Sequence, residues 1–218
     1  HWEGDYYVKA DGSKAKSEWI FDNYYKAWFY IKSDGRYAQN EWQGKYYLKS
    51  GGYMAKNEWL YDNHYKSWFY LKADGSYANQ EWYGKYYLKA DGYMAKSEWV
   101  YDPAYSSYFY LKSDGSYANQ EWQKVDGKWY YFKKWGYMAK DEWQGNYYLT
   151  GSGAMATGEL VMNDARYIFS DSGELKEKKG LNVGWVHRNG HRYFFNQREE
   201  QVGTDQVKKV IDVSEHNG

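Results

Sequence analysis

Tryptophan recurs along this chain at positions 2, 19, 42, 59, 82, 99, 122 and 143, each time beside a glutamate. The spacings are 17, 23, 17, 23, 17, 23 and 21 residues, so short and long units alternate within a 40-residue super-repeat. Residues 41–80 (EWQGKYYLKSGGYMAKNEWLYDNHYKSWFYLKADGSYANQ) and 81–120 (EWYGKYYLKADGYMAKSEWVYDPAYSSYFYLKSDGSYANQ) are close to copies. Self-similarity at this period marks an array of stacked supersecondary units, each unable to bury its own apolar face alone.

Every unit has the same local grammar. A Trp opens a short strand, and a polar turn follows (Gly44-Lys45, Gly84-Lys85 or Asp126-Gly127). An aromatic strand comes next, as in Tyr46-Tyr47-Leu48, Trp28-Phe29-Tyr30 or Trp129-Tyr130-Tyr131-Phe132. A second glycine turn then leads to Tyr-Met-Ala or Tyr-Ala and the next Trp. Aromatic runs bounded by Asp-Gly or Gly-Lys predict β-hairpins. A hairpin of this size is not stable alone, so stacked neighbours must share their faces. The predicted fold is all-β, a solenoid or superhelix of stacked β-hairpins over residues 1–203, about ten units in all. No segment of the repeat keeps a helical apolar period for long.

Composition narrows the function. The 218 residues carry 29 Lys+Arg against 29 Asp+Glu, which argues against a binder of nucleic acid or other polyanions. Aromatics make up 23% of the chain, with 29 Tyr and 13 Trp, while aliphatic side chains look too few for an ordinary core. Disordered chains are poor in aromatics. Mean hydropathy is -1.05, with no long apolar run to span a membrane. The absence of Cys excludes disulfides, cysteine nucleophiles and thiolate metal sites. The five His are scattered; His187 and His191 flank a turn at Asn189-Gly190, so no metal site is expected. No nucleophile or phosphate-loop motif is present, and no cofactor is called for.

The pattern degrades after Trp143. Leu160 stands where the next Trp is due, residues 160–180 lose most aromatics, and Trp185 opens a last unit. These two units read as degenerate caps that end the stack on a more polar face. Val210 to Ser214 reads as a strand of different composition. The chain begins inside a repeat without a signal peptide and is expected to be a piece of a longer protein.

The aromatic columns suggest a ligand. Trp28, Trp68, Tyr108 and Trp129 share one column in the long units, where the short units and the last unit hold Lys45, Lys85, Asn146 and Arg192. A core position would not tolerate lysine, so these rings are expected at the surface. The opening residues Trp19, Trp59, Trp99 and Trp122 stand beside them. A third wall is expected from the next hairpin, through Trp42, Trp82, Trp122 or Trp143, or through the Tyr pairs at 46–47, 86–87 and 147–148. Of these pairs Tyr47, Tyr87 and Tyr148 are taken as the wall residues, with Met54, Met94 and Met138 close behind. Three ring faces around a gap attract a weakly hydrated quaternary ammonium at roughly 0.5–2 kcal/mol per wall. The alternatives are rings stacking on sugars and a purely structural spacer. Phe29, Phe69, Phe109, Tyr30, Tyr70 and Tyr110 are expected to pack in the core.

The segment QEWQKVDGKWYYFKKWGYMAKDEW (120–143) resembles the choline-binding repeat, and residues 184–204 fit the same frame. That resemblance implies a non-catalytic module holding choline or phosphocholine on teichoic and lipoteichoic acids, at the bacterial surface. Departures occur where Glu-Trp replaces Gly-Trp and where lysine replaces a cage aromatic, so fewer sites than repeats are expected. Residues 210–218 (VIDVSEHNG) resemble the first strand of family 25 lysozymes. The combination resembles secreted modular lysozymes with choline-binding repeats before the catalytic barrel. It implies that residues 204–218 are a linker and first strand, with Asp212 the first-strand active-site aspartate. Peptidoglycan would then be reached through the remainder of the catalytic domain.

Overall fold

The computed structural model describes residues 1–180, 184–195 and 201–204. The strand at 210–214 and Asp212 lie outside them. The chain divides into two compact units, one formed by His1–Asp102 with Tyr110–Tyr117 and the other by Pro103–Phe109 with residues 118 onward.

In the first unit the hairpins are β1 (Trp2–Glu3) with β2 (Tyr6–Tyr7), β3 (Glu18–Asp22) with β4 (Ala27–Ile31), and β5 (Glu41–Gln43) with β6 (Tyr46–Leu48). They continue as β7 (Glu58–Asp62) with β8 (Ser67–Leu71) and β9 (Glu81–Tyr83) with β10 (Tyr86–Leu88). The hairpin of β11 (Glu98–Asp102) and β12 (Ser107–Leu111) is where the division falls. The second unit holds β13 (Glu121–Val125) with β14 (Lys128–Phe132) and β15 (Glu142–Gln144) with β16 (Tyr147–Leu149). Two three-stranded sheets follow: β17 (Gly158–Met162), β18 (Ala165–Phe169) and β19 (Leu175–Gly180), then β20 (Gly184–Arg188), β21 (His191–Phe195) and β22 (Gln201–Thr204).

Turn chemistry sets each register. Gly44 and Gly84 take φ near +60°, as the first central residue of a two-residue hairpin turn of the II′ kind does. Asp126-Gly127 and Asn163-Asp164 have both φ values positive, as type I′ requires. The longer loop after β3 is nucleated by Asp22, whose Oδ1 accepts the amides of Tyr24 (2.7 Å) and Tyr25 (3.1 Å).

The hairpins are joined by segments that return to the preceding one. The Met54 amide donates to the Trp28 carbonyl (3.1 Å), and the Tyr77 amide to the Lys45 carbonyl (3.0 Å). The Glu of each Glu-Trp pair is structural. Glu58 accepts the Lys56 amide (3.1 Å) and pairs with Lys49 (3.2 Å). Equivalent pairs join Lys9 to Glu18, Lys32 to Glu41, Lys72 to Glu81, Lys89 to Glu98 and Lys133 to Glu142. They are partly exposed, so each is worth at most about 1 kcal/mol.

The core departs from the composition argument in one respect. In the first unit its fully buried column is aliphatic: Ile31, Leu48, Leu71 and Leu88 end the second strands of successive hairpins, backed by Ala15, Ala38, Ala55, Ala78 and Ala95, while in the second unit the same place is taken by Phe132 and then Leu149. A stack of hairpins has a core only about one side chain wide, so one aliphatic residue per hairpin fills it. Phe29, Phe69, Phe109 and Tyr70 are buried as expected, while Tyr30 and Tyr110 are only half-buried.

Candidate functional site

Pairing between β3 and β4 places Trp19 opposite Tyr30 and Phe21 opposite Trp28. Side chains two residues apart share a face of a strand, so Trp19 and Trp28 stand diagonally on one face of the hairpin. The next hairpin brings Tyr46 edge-on to Trp19, with ring centroids 5.3 Å apart and planes at 73°. Because its amide is held by the Trp28 carbonyl, Met54 comes to lie against the same gap. The result is a cavity of about 370 Å³ lined by Trp19, Trp28, Tyr46, Met54 and Asp74.

Forty residues on, a second cavity of about 350 Å³ is lined by Trp59, Trp68, Tyr86, Met94 and Asp114, the same residues in the same order. Trp59 meets Tyr86 at 5.3 Å and 74°. Trp28 and Trp68 are each 43% exposed, which leaves a ring face toward solvent. The surroundings of the two cavities differ: Tyr61 beside Trp68 replaces Phe21 beside Trp28, and Tyr83 replaces Gln43 and stacks on Tyr70, centroids 3.5 Å apart. The hydrogen bond with Tyr83, reinforced by burial, pushes the Tyr70 hydroxyl up to about 12.

The second unit repeats the wall geometry. Trp122 meets Tyr147 at 5.3 Å and 70°, and the Met155 amide donates to the Trp129 carbonyl at 2.8 Å. Trp129 is 40% exposed. Tyr108 is half exposed and its carbonyl accepts the Met138 amide (3.3 Å); in the first unit, separately, Trp99 stands against Tyr110 at 5.3 Å.

Trp42 and Trp82, the short-unit tryptophans, are placed differently. Trp42 donates its indole N–H to Asp62 Oδ2 (2.7 Å) and Trp82 donates to Asp102 Oδ2 (2.7 Å); Trp2 and Asp22 form the same bond. The rings pack edge-on or tilted against Tyr47 (5.1 Å) and Tyr87 (4.9 Å) respectively. Tyr47 packs against a core cluster of Ala55, Phe69 and Leu71, and burial raises its hydroxyl above the ordinary value, as it does for Tyr87. Trp143 and Tyr148 form the corresponding pair at 5.0 Å. Trp42 lines a separate groove with Tyr65, Phe69, Tyr77 and Asp91. The structure therefore brings together Trp19, Trp28, Met54 and their successors. It sets Trp42, Tyr47, Trp82, Tyr87, Trp143 and Tyr148 apart from these cavities.

The aspartates lining the cavities escaped the sequence reading, and so did the choice of Tyr46 and Tyr86 within their pairs. One signal was available. A two-residue turn puts Trp42 opposite Tyr47, hence Tyr46 on the other face. Lysines take part as well. Lys45 and Lys85 lie 5.9 and 5.8 Å from the ring centres of Tyr46 and Tyr86. In the last unit the Arg192 guanidinium covers the Trp185 ring at 4.3 Å. Among the described residues no group of His and acidic side chains is arranged to hold a metal ion, and no helix is long and apolar enough to cross a membrane.

Comparison with known proteins places the repeat. The family model of the choline-binding repeat matches residues 36–77 and 137–174, and that of a "Putative cell wall binding repeat" matches 120–138. The choline-binding domain of CbpL from Streptococcus pneumoniae is 55% identical over 74% of this chain and 86% of its own length, with a TM-score of 0.66. The modular autolysin LytC from the same organism is 72% identical over 94% of this chain, with a TM-score of 0.49; the match takes in 52% of LytC. A 40-residue stretch is 48% identical to a "Putative endo-beta-N-acetylglucosaminidase" of Streptococcus pneumoniae, 18% of this chain and 6% of that protein. The chain thus spans about half of LytC and a small part of the curated relative.

Proposed function

This chain belongs to the choline-binding repeat family, and from that premise we propose that its aromatic cavities hold the choline groups of cell-wall teichoic and lipoteichoic acids. The module is non-catalytic and binds the cell wall. The observation that carries the site assignment is the recurrence of one lining, Trp-Trp-Tyr-Met-Asp, at a 40-residue interval. A trimethylammonium group is apolar on its surface yet charged, so it suits ring faces that repel hydrated ions and attract a cation through their quadrupoles. Edge-on tryptophan and tyrosine leave the gap between them rigid and already formed, which limits the ordering cost of binding.

Each wall supplies roughly 0.5–2 kcal/mol, so three walls sum to about 1.5–6 kcal/mol before the cost of association, and binding no tighter than about 1 mM, which corresponds to about 4 kcal/mol, is expected. One such site is a weak anchor. Several on one chain, meeting a polymer that repeats its choline, gain through effective concentration. In the intact protein we infer an exported surface enzyme, a lysozyme to which residues 204–218 contribute a linker and the first strand of the catalytic barrel, with Asp212 as that strand's active-site aspartate.

The test is titration of the chain with choline, followed by tryptophan fluorescence and calorimetry, beside retention on a tertiary-amine resin. Saturable quenching and release from the resin by free choline support the reading. Elution by dextran but not by choline would move it to sugar stacking, and silence toward both ligands would leave a spacer.

A further inference from the structure

The carboxylate in each cavity of the first unit occupies a fixed place in the repeat. Asp74 and Asp114 directly precede the glycines whose backbone meets the cage. A Cβ on Gly75 would stand 2.6 Å from Met54 Cε and 3.2 Å from Tyr46 Cδ1, and one on Gly115 would stand 2.6 Å from Met94 Cε and 3.2 Å from Tyr86 Cδ1. In the second unit Gly153 and Gly173 meet Met138 and Met155 in the same way, but the residues before them are Ser152 and Ser172. The cage register is thus kept while the charge is lost.

Both internal hydrogen bonds of Asp74 fall on Oδ1, which accepts the Ser76 amide (2.9 Å) and hydroxyl (2.6 Å). Asp114 does the same with Ser116. The second oxygen is left for a guest. The serine bonds first, then the fields of Lys72 and Lys45, hold the Asp74 carboxyl below its ordinary value, so it is ionised at neutral pH. Asp114 is held down likewise by Ser116, Lys112 and Lys85. Lys72 is itself paired with Glu81.

The chain also contains its own stand-in for the ligand. At the first register Lys14 takes the place of Met54, bridging Val8 as Met54 bridges Leu48. Its ammonium lies 4.8 Å from the centre of the Tyr6 ring, against which the Asp34-Gly35 turn is seated. A cation accordingly rests on the tyrosine of an Asp-Gly register where the chain supplies one.

We propose that Asp74 and Asp114 are specificity-determining residues, each adding an anionic wall that makes the first unit's cages bind cationic amines more tightly than serine-closed cages do. The proposal rests on the choline reading above. Aromatic rings alone accept any compact apolar group to some degree, whereas a carboxylate distinguishes a trimethylammonium from its uncharged carbon isostere.

The experiment titrates the whole chain with choline and with 3,3-dimethylbutan-1-ol, comparing the unaltered protein with the double variant Asp74→Ser/Asp114→Ser. Serine is what the fold itself uses at this register, and Asp74→Asn/Asp114→Asn provides an independent second variant. The expected result is about fivefold weaker choline binding in the tight class of sites, with isostere affinity unchanged. The loss should shrink between about 10 mM and about 300 mM salt. Unchanged choline affinity overturns the proposal, and so does an equal loss for both ligands, which would mark a purely structural aspartate. Failure of the unaltered protein to bind choline would instead remove the cage reading itself, and the proposal with it.

Discussion

Replacing Trp68 by alanine removes one wall from the cavity of Trp59, Tyr86 and Met94 while leaving its twin around Trp28 intact. The indole is 43% exposed and touches Tyr61 edge-on at 5.4 Å, so only part of its area leaves the protein interior. The stability cost is expected at about 1–2 kcal/mol, against about 3–5 kcal/mol for alanine at Phe69, which is 3% exposed. A cation–π wall of roughly 0.5–2 kcal/mol corresponds to about twofold to thirtyfold in affinity at that one site. Calorimetric titration with choline should therefore show one class of site weakened and another unchanged. Urea denaturation of the same sample should give a near-normal midpoint. Retention of every site at its original affinity would refute the cage assignment. A stability loss as large as that of Phe69→Ala would show instead that Trp68 is a core residue.

Further expectations separate framework from site. Asp62→Ala takes away the acceptor of the Trp42 indole and of the His64 and Tyr65 amides, and should cost about 2 kcal/mol in urea denaturation with choline affinity retained. Gly75→Ala sets a Cβ against Met54 at a backbone φ of +88°; a loss of about 1–3 kcal/mol is expected, with weaker binding confined to the first cavity by calorimetry. Acid should destabilise the protein through the turn carboxylates Asp22, which is buried, and Asp62, which is half-buried. For Asp22, burial raises the pKa, but the Tyr25, Tyr24 and Trp2 hydrogen bonds outweigh it. For Asp62 the Trp42, Tyr65 and His64 bonds do the same, so both lie below 3.8 when folded. A depressed folded value means that this stability is complete above the unfolded pKa and is lost as pH falls through the folded one. Tryptophan fluorescence should thus report destabilisation below about pH 4 and none from these groups at neutral pH.

The hairpins and their alternation were legible because turn glycines and aromatic strands obey local rules that repeat. Trp28 and Trp68 were legible as surface rings because lysine occupies their column in sister units. The choice between Tyr46 and Tyr47 was not made from the strand pattern, although the two-residue turn fixes which of them opposes Trp42. What strand parity does not reveal is which face the preceding hairpin covers, since that depends on how the returning Tyr-Met-Ala segment docks. The aspartates were read as turn formers, which they are; their second role arises only when Met54 or Met94 folds onto the following glycine. The aliphatic core was underestimated because total composition says little about a column that needs one leucine per hairpin.

In the first unit the bond from Trp42 to Asp62 ties a short hairpin to the long one after it, at a constant separation of 20 residues that also joins Trp2 to Asp22 and Trp82 to Asp102. The heritable currency of such a chain is consequently the couple rather than the single hairpin. Recombination that adds or drops a whole couple reseats each indole on an aspartate and alters reach along the polymer in even steps. An odd splice would strand a donor in an apolar seam and be purged.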